Sequence, residues 1–93
     1  FEGDPRKAAA NLRKHGVSFS EAQSVFADEH GLIIDDVEHS AQEERFVLLG
    51  MSTASRTLVV VHCYRAEDRI IRIISARKAD RIERRQYQEG TQP

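Results

Sequence analysis

Arg69-Ile70-Ile71-Arg72-Ile73-Ile74-Ser75-Ala76-Arg77 runs without a break into Lys78-Ala79-Asp80-Arg81-Ile82-Glu83-Arg84-Arg85-Gln86-Tyr87, and the reading of these two halves decides the fold. Four isoleucines in an alternating setting make the first half a strand. Strict alternation sets Ile71, Ile73, Ser75 and Arg77 on one face and Ile70, Arg72, Ile74 and Ala76 on the other. Each face then carries an arginine among apolar residues. The second half lacks β-branched runs, and Ala79, Ile82, Gln86 and Tyr87 recur at helical spacing, which predicts an amphipathic helix. Between Arg69 and Tyr87 seven basic residues stand against Asp80 and Glu83, a local balance of +5. A strand leading into a basic helix can present a phosphate-binding platform. A core strand followed by a solvated helix would leave the same pattern.

Upstream of this stretch the sequence predicts a meander. Arg65-Ala66-Glu67-Asp68 is a short hairpin connection, preceded by Thr57–Tyr64, an almost uniformly apolar, β-branched strand that belongs at the centre of a sheet. Ser52–Ser55 is a turn. Glu44–Met51 alternates with apolar residues on both faces, and Gly50 marks a bulge or a close backbone approach. Leu32-Ile33-Ile34 is a further short strand, and Val37–Gln42 reads as a polar loop.

Two helices come first. Asp4-Pro5 is a start signal, with Asp4 as cap and Pro5 at the first helical position. Gly16 supplies the left-handed stop, and Ala8, Ala9 and Leu12 form a thin apolar stripe. Lys14 and His15 fall in the last turn, where a cation complements the helix dipole. Ser18-Phe19-Ser20-Glu21 matches a capping box, with Val17 stapled to Ala22, and Val25 and Phe26 complete the inner face. The expected fold is α+β: two N-terminal helices, an antiparallel sheet of about four strands and a C-terminal helix, in one domain over residues 1–93.

Composition narrows the class. The 93 residues are 40% hydrophobic and 31% charged, an ordinary globular balance. The longest apolar run, Leu58–Val61, is far too short to cross a membrane. A single cysteine, Cys63, excludes an internal disulfide and suits a reducing cytoplasm, and its strand setting suggests a small buried residue. The net charge of −1 conceals a separation along the chain. Ser20–Glu44 holds eight acids and no Lys or Arg. Such asymmetry suits a polyanion at the basic end.

The four histidines, His15, His30, His39 and His62, show no close zinc-type spacing, and no phosphate-cradling glycine loop is present. RNA cleavage without a metal asks for less. The ribose 2′-oxygen is the nucleophile, so the protein supplies proton transfer and cations at the phosphate. Arginine suits the second role because its planar fork holds two oxygens and stays charged. His15 or His62 could move protons near neutral pH, and Tyr87 or Tyr64 could donate a hydrogen bond or stack on a base.

Phe1-Glu2-x-Asp4-Pro5-x-Lys7-Ala8 with Asn11, Lys14-His15-Gly16-Val17-Ser18-Phe19, Glu44-Arg45, Arg72-Ile73-Ile74-Ser75-Ala76-Arg77-Lys78-Ala79 and Glu83-Arg84-Arg85-x-Tyr87 together resemble the BrnT family over nearly the whole chain. The resemblance implies a RelE-like fold and a metal-independent endoribonuclease toxin of a bacterial type II toxin–antitoxin pair, acting in the cytoplasm without a cofactor. It also implies a BrnA-like antitoxin partner with a ribbon-helix-helix DNA-binding domain, through which the pair occupies its own operator. Carried over by position, the motifs point to Arg77, His15, Lys14 and Tyr87 as catalytic and to Arg72, Arg45, Lys78 and Arg84 as RNA-binding. Arg77 is the expected stabiliser of phosphorane charge, and Glu83 belongs to the same block. The rival expectation is a non-catalytic module that binds protein or nucleic acid through the same basic surface. One position departs from the pattern: Gly3 stands where the family has tryptophan. A large ring there would staple the first helix at Ala8, so glycine predicts a loosened helix start and an attenuated enzyme.

Overall fold

The computed structural model describes residues 1–34, 45–67 and 69–91, with only the backbone of Thr91. Expectations for Val37–Gln42, for His39 and for the acids at 35, 36, 38, 43 and 44 lie outside the described residues. Helices α1 (Pro5–His15) and α2 (Phe19–Ser24) lead through a 3-10 turn, Val25–Ala27, into strands β1 (Leu32–Ile34), β2 (Phe46–Met51), β3 (Thr57–Arg65) and β4 (Ile70–Lys78), and helix α3 (Arg81–Thr91) follows. The strands form one antiparallel sheet in the order β1-β2-β3-β4. The α+β expectation holds, and β3 is an interior strand.

Each helix end follows its local chemistry. The Asp4 carboxylate accepts the Arg6 N–H at 2.8 Å, and Gly16, at φ 67°, closes α1 by donating its N–H to Leu12. The Ser18 hydroxyl accepts the Glu21 N–H at 3.0 Å at the start of α2. The Glu21 carboxylate grips Arg56 and accepts the Ser52 hydroxyl at 2.7 Å, while Arg56 also donates to the Gly16 carbonyl at 3.0 Å. That cluster ties the ends of α1 and α2 to the β2–β3 turn.

One face of the sheet is covered by α1, α2 and the 3-10 turn. Val17, Phe19, Ala22 and Val25 pack there on Leu48, Leu58, Val60, Ile73 and Ala76. The other face packs Val47, Leu49 and Val59 against Ala79 and Tyr87 beside α3. Gly50 keeps regular pairing with Leu58 and lies directly against Val25, so it is a close approach and not a bulge. A side chain there would drive a Cβ to 2.7 Å from the valine methyl.

The bulge lies instead in β4. Val61 pairs with Ser75 and His62 with Ile73, so Ile74 has no partner of its own. This corrects the alternation read from the sequence. Pairing with Leu58, Val60, His62 and Tyr64 aligns Lys78, Ala76, Ile73 and Ile71 on the α1–α2 face. Arg77, Ser75, Arg72 and Ile70 share the opposite face. Arg72 and Arg77, expected on opposite sides, therefore lie on the same side.

Two helical stripes also differ from expectation. Leu12 is 52% exposed and Ala9 is exposed, whereas Asn11 is buried between them. Its amide donates to the Val17 and Ala76 carbonyls, each at 2.8 Å, and its oxygen accepts the Ala76 N–H at 3.0 Å. A buried edge strand needs those partners more than it needs a leucine. In α3 the inward residues are Glu83 and Tyr87, four apart, while Ile82 is 78% exposed and Gln86 is exposed. Cys63 is half-buried and borders a cavity.

Gly3 does not leave a gap. Glu2 pairs with Arg72 as an extra bridge on β4, which brings Gly3 onto the ring of the buried Phe19. A Cβ at position 3 would stand 2.8 Å from Phe19 Cδ2. The phenylalanine fills the space, so the loosened start inferred from the sequence is not what the packing holds.

Candidate active site

Two adjoining depressions open between α1 and β4. A cavity of about 120 Å³ is lined by Lys7, Arg45, Cys63, Arg72 and Ile74. A broader cleft of about 210 Å³ is lined by Lys7, Ala10, Asn11, Lys14, His15, Ile74 and Ser75. Lys7 and Ile74 belong to both, so the two form one seam. Helical spacing explains the α1 side, since Lys7, Ala10, Asn11 and Lys14 recur every three or four residues along one edge. The bulge explains the β4 side, because Ile74 drops out of register and opens the strand edge towards α1. Asn11 fixes the distance between the two elements by bonding both backbone groups of Ala76.

The seam is cationic. Among the described residues that line it there are four basic side chains and His15, and no carboxylate. Among the described acids Glu2 reaches this seam: its carboxylate accepts from Arg65 at 2.9 Å and lies 3.8 Å from Arg72 Nε. Glu2 also exchanges backbone hydrogen bonds with Ile71 and Ile73. The N-terminal segment thereby holds Arg72 from both backbone and side chain.

Arg77 has another environment. Its Nη1 and Nη2 donate to the two oxygens of Glu83 at 2.7 and 2.9 Å. Glu83 also accepts the Asp80 N–H at 2.9 Å, and its own N–H donates to Asp80 Oδ1 at 2.7 Å, a reciprocal capping box at the start of α3. The hydrogen bonds from Arg77 hold the Glu83 carboxyl below the usual carboxylate range. Arg84 donates to the Ala79 carbonyl at 2.9 Å, and Lys78 lies on the α1–α2 face, where its charge helps to lower the pKa of Glu21.

Tyr87 is 8% exposed, and its hydroxyl donates to Asp28 Oδ2 at 2.6 Å. Burial, then the bond to Asp28, pushes the phenol up to about 12. Asp28 also accepts the Met51 and His30 N–H groups at 2.8 and 3.0 Å, and it lies below the usual carboxylate range despite burial. His62 is fully buried among Phe26, Phe46 and Tyr64; its Nδ1 meets the Val60 carbonyl at 3.2 Å, and burial lowers its pKa.

Of the eight residues expected from the sequence, the seam unites Lys14, His15, Arg72 and Arg45. Arg77, Tyr87, Lys78 and Arg84 lie outside its lining. Reasoning from the sequence overlooked Lys7, Asn11, Ser75 and Glu2. A usable signal was present for Asn11, a polar residue three after Ala8 on the helix face that packs inward. No group of three or more His, Cys, Asp or Glu able to hold a metal occurs among the described residues.

A small α+β protein whose cleft gathers cations and a histidine, with no carboxylate among the described lining residues, is equipped to meet a phosphate polyanion. The family model for the ribonuclease toxin BrnT of type II toxin–antitoxin systems matches residues 4–83, and the chain belongs to this family. It is accordingly a ribonuclease toxin with an antitoxin as its partner. The fold is similar to the 1.1 Å crystal structure of the Brucella abortus ribonuclease toxin BrnT, with a TM-score of 0.65 at 17% identity over 85% of this chain and 94% of that one. No curated protein matches the sequence.

Proposed function

We propose that the chain, as one toxin domain over residues 1–93, is an endoribonuclease that cuts RNA by internal transesterification without a metal. The 2′-oxygen bonds to the adjacent phosphorus as the bond to the 5′-oxygen breaks, which leaves a 2′,3′-cyclic phosphate and a 5′-hydroxyl. His15 accepts the 2′-proton, and the departing 5′-oxygen takes a proton from solvent water at the open mouth of the cleft. Lys14 offsets charge that develops on the phosphorane, and Arg72 and Arg45 hold the RNA strand. The single observation that carries this reading is the convergence of Lys14, His15 and Arg72 on one seam through Lys7 and Ile74. Preorganised cations in such a cleft act where charge appears, without reorganising at the moment of reaction. Among the described residues, the lining supplies none of the carboxylate oxygens that a magnesium or calcium ion would seek.

Arg77 takes a different part in this proposal. Its fork is committed to Glu83, so it orients the start of α3. Tyr87, with its proton on Asp28 and a pKa of about 12, serves packing better than proton transfer. The antitoxin is BrnA-like, with a ribbon-helix-helix domain that carries the pair to its operator, and it silences the toxin in the cytoplasm by covering the seam. The test is incubation of the purified chain with RNA in EDTA, followed by mass analysis of the new ends. Cyclic phosphate and 5′-hydroxyl ends, suppressed by added antitoxin, are expected. Cutting that stops on chelation and returns with a divalent ion, or 3′-hydroxyl ends, would overturn the mechanism.

A further inference from the structure

The smaller cavity has a geometry of its own. Three cations reach it from three separate elements: Lys7 from α1, Arg45 from the residue before β2, and Arg72 from β4. The other described residues that line it, Cys63 and Ile74, are uncharged. The cavity, of about 120 Å³, is large enough to admit a phosphate group. His15 and Lys14 border the neighbouring cleft, so among the described residues the cavity gathers cations while the histidine lies outside it. Lys7 stands between the two spaces and borders both.

From this we infer that the cavity is a second phosphate subsite, which takes the backbone phosphate next to the scissile one and fixes the register of the RNA over His15. The inference rests on the ribonuclease reading and adds to it a binding residue, Lys7. Two phosphates joined by one ribose must lie side by side, and the seam offers two adjoining spaces with a shared lysine between them. Arg72 suits the inner position because the Glu2 carboxylate stays 3.8 Å from its Nε, beyond hydrogen-bond distance. Glu2 then works as a positioning residue: it aims the guanidinium while leaving the outer edge of the fork for the phosphate.

The test replaces single phosphates in an RNA substrate with uncharged methylphosphonate linkages, one on each side of the cut in turn. Cleavage and binding are measured for the parent and for Lys7→Gln and Arg72→Gln, with melting temperature as the check on folding. In the parent, one flanking replacement raises KM about tenfold, the effect of ~1.4 kcal/mol in binding, and leaves kcat within a factor of two or so. In Arg72→Gln the same replacement has no further effect, and the salt dependence of RNA binding is shallower by about 0.7 in log–log slope, as for one lost single-strand phosphate contact. Lys7→Gln shows the same direction with a smaller loss. If the parent cuts RNA but every flanking replacement acts equally on parent and variants, the subsite is overturned and the nuclease stands. A fall in kcat at unchanged KM in Arg72→Gln overturns it too, by moving that arginine to the scissile phosphate. If the parent fails to cut any RNA, the ribonuclease mechanism falls, and the same replacement-by-variant cycle read in binding alone still decides the subsite.

Discussion

At the Arg72 end of β4 the cations line open space with no carboxylate among the described walls; at the Arg77 end the guanidinium is bonded on both nitrogens to Glu83. Both arginines lie on one face of one strand, five residues apart. Both also have an acid in reach, but Glu2 touches Arg72 loosely at its edge while Glu83 fills the fork of Arg77. In the proposed mechanism the same residue type serves ligand binding in one place and helix anchoring in the other. What separates the two roles is the partner, since Glu83 is itself fixed by the Asp80 capping box. A phosphate would have to displace a bidentate, charge-assisted pair from Arg77, whereas the outer face of Arg72 needs no such exchange.

The sharpest way to break this comparison is to exchange the expected losses. His15→Ala at the open end should slow RNA cleavage by ~100-fold or more with little change in melting temperature. Arg77→Ala at the closed end should leave the cleavage rate per folded molecule within a few-fold and lower stability instead. Rates and melting curves of the two variants decide it, and a reversed outcome would return the charge-stabilising role to Arg77.

A second prediction tests the closed end through its buried latch. Tyr87→Phe removes the donor to Asp28 Oδ2 and leaves a part-buried carboxylate short of one partner. Losing a hydrogen bond to a charged group costs about 1.5–3 kcal/mol. Denaturant titration should register that loss with cleavage by the folded fraction unchanged; a collapse of activity in a stable Tyr87→Phe protein would restore tyrosine to the chemistry.

The third concerns acid. His62 is buried and held neutral, so its folded pKa lies below its unfolded one. Its contribution is present above the unfolded value of about 6.5 and is lost as pH falls below it towards the folded value, with a limiting slope of ~1.4 kcal/mol per pH unit. Melting temperature should decline from pH 6.5 downwards, and His62→Phe should flatten that decline. The depressed carboxyls of Glu21, Asp28 and Glu83 add their loss only at lower pH, below their ordinary unfolded range near 4.

The smallest expected effect is a gain at neither end of the seam. Ala66 and Glu67 sit at φ 52° and 56° in the β3–β4 connection, a left-handed backbone that Asn and Gly adopt at less cost. Replacing them with Asn and Gly should raise stability by about 1–2 kcal/mol and leave cleavage alone.

Most of the architecture was legible from local chemistry. Asp4-Pro5 and Gly16 bound α1, Ser18 starts α2, and the β-branched run of β3 names an interior strand, because caps and alternation are written within a few residues. Lys14 and His15 could be singled out by their motif at the end of α1. The motif could not reveal that Lys7 and Ile74 join them to Arg72 and Arg45, because those residues come from separate elements. Sequence also assigned the arginines of β4 to opposite faces, and the register decided otherwise. A one-residue bulge at Ile74 leaves Ile73 and Ala76 both under the helices and turns Arg72 and Arg77 to the same side. Alternation is a property of a chain segment, but register is set by the neighbouring strand and by Asn11, whose amide holds Ala76 from sixty-five residues away.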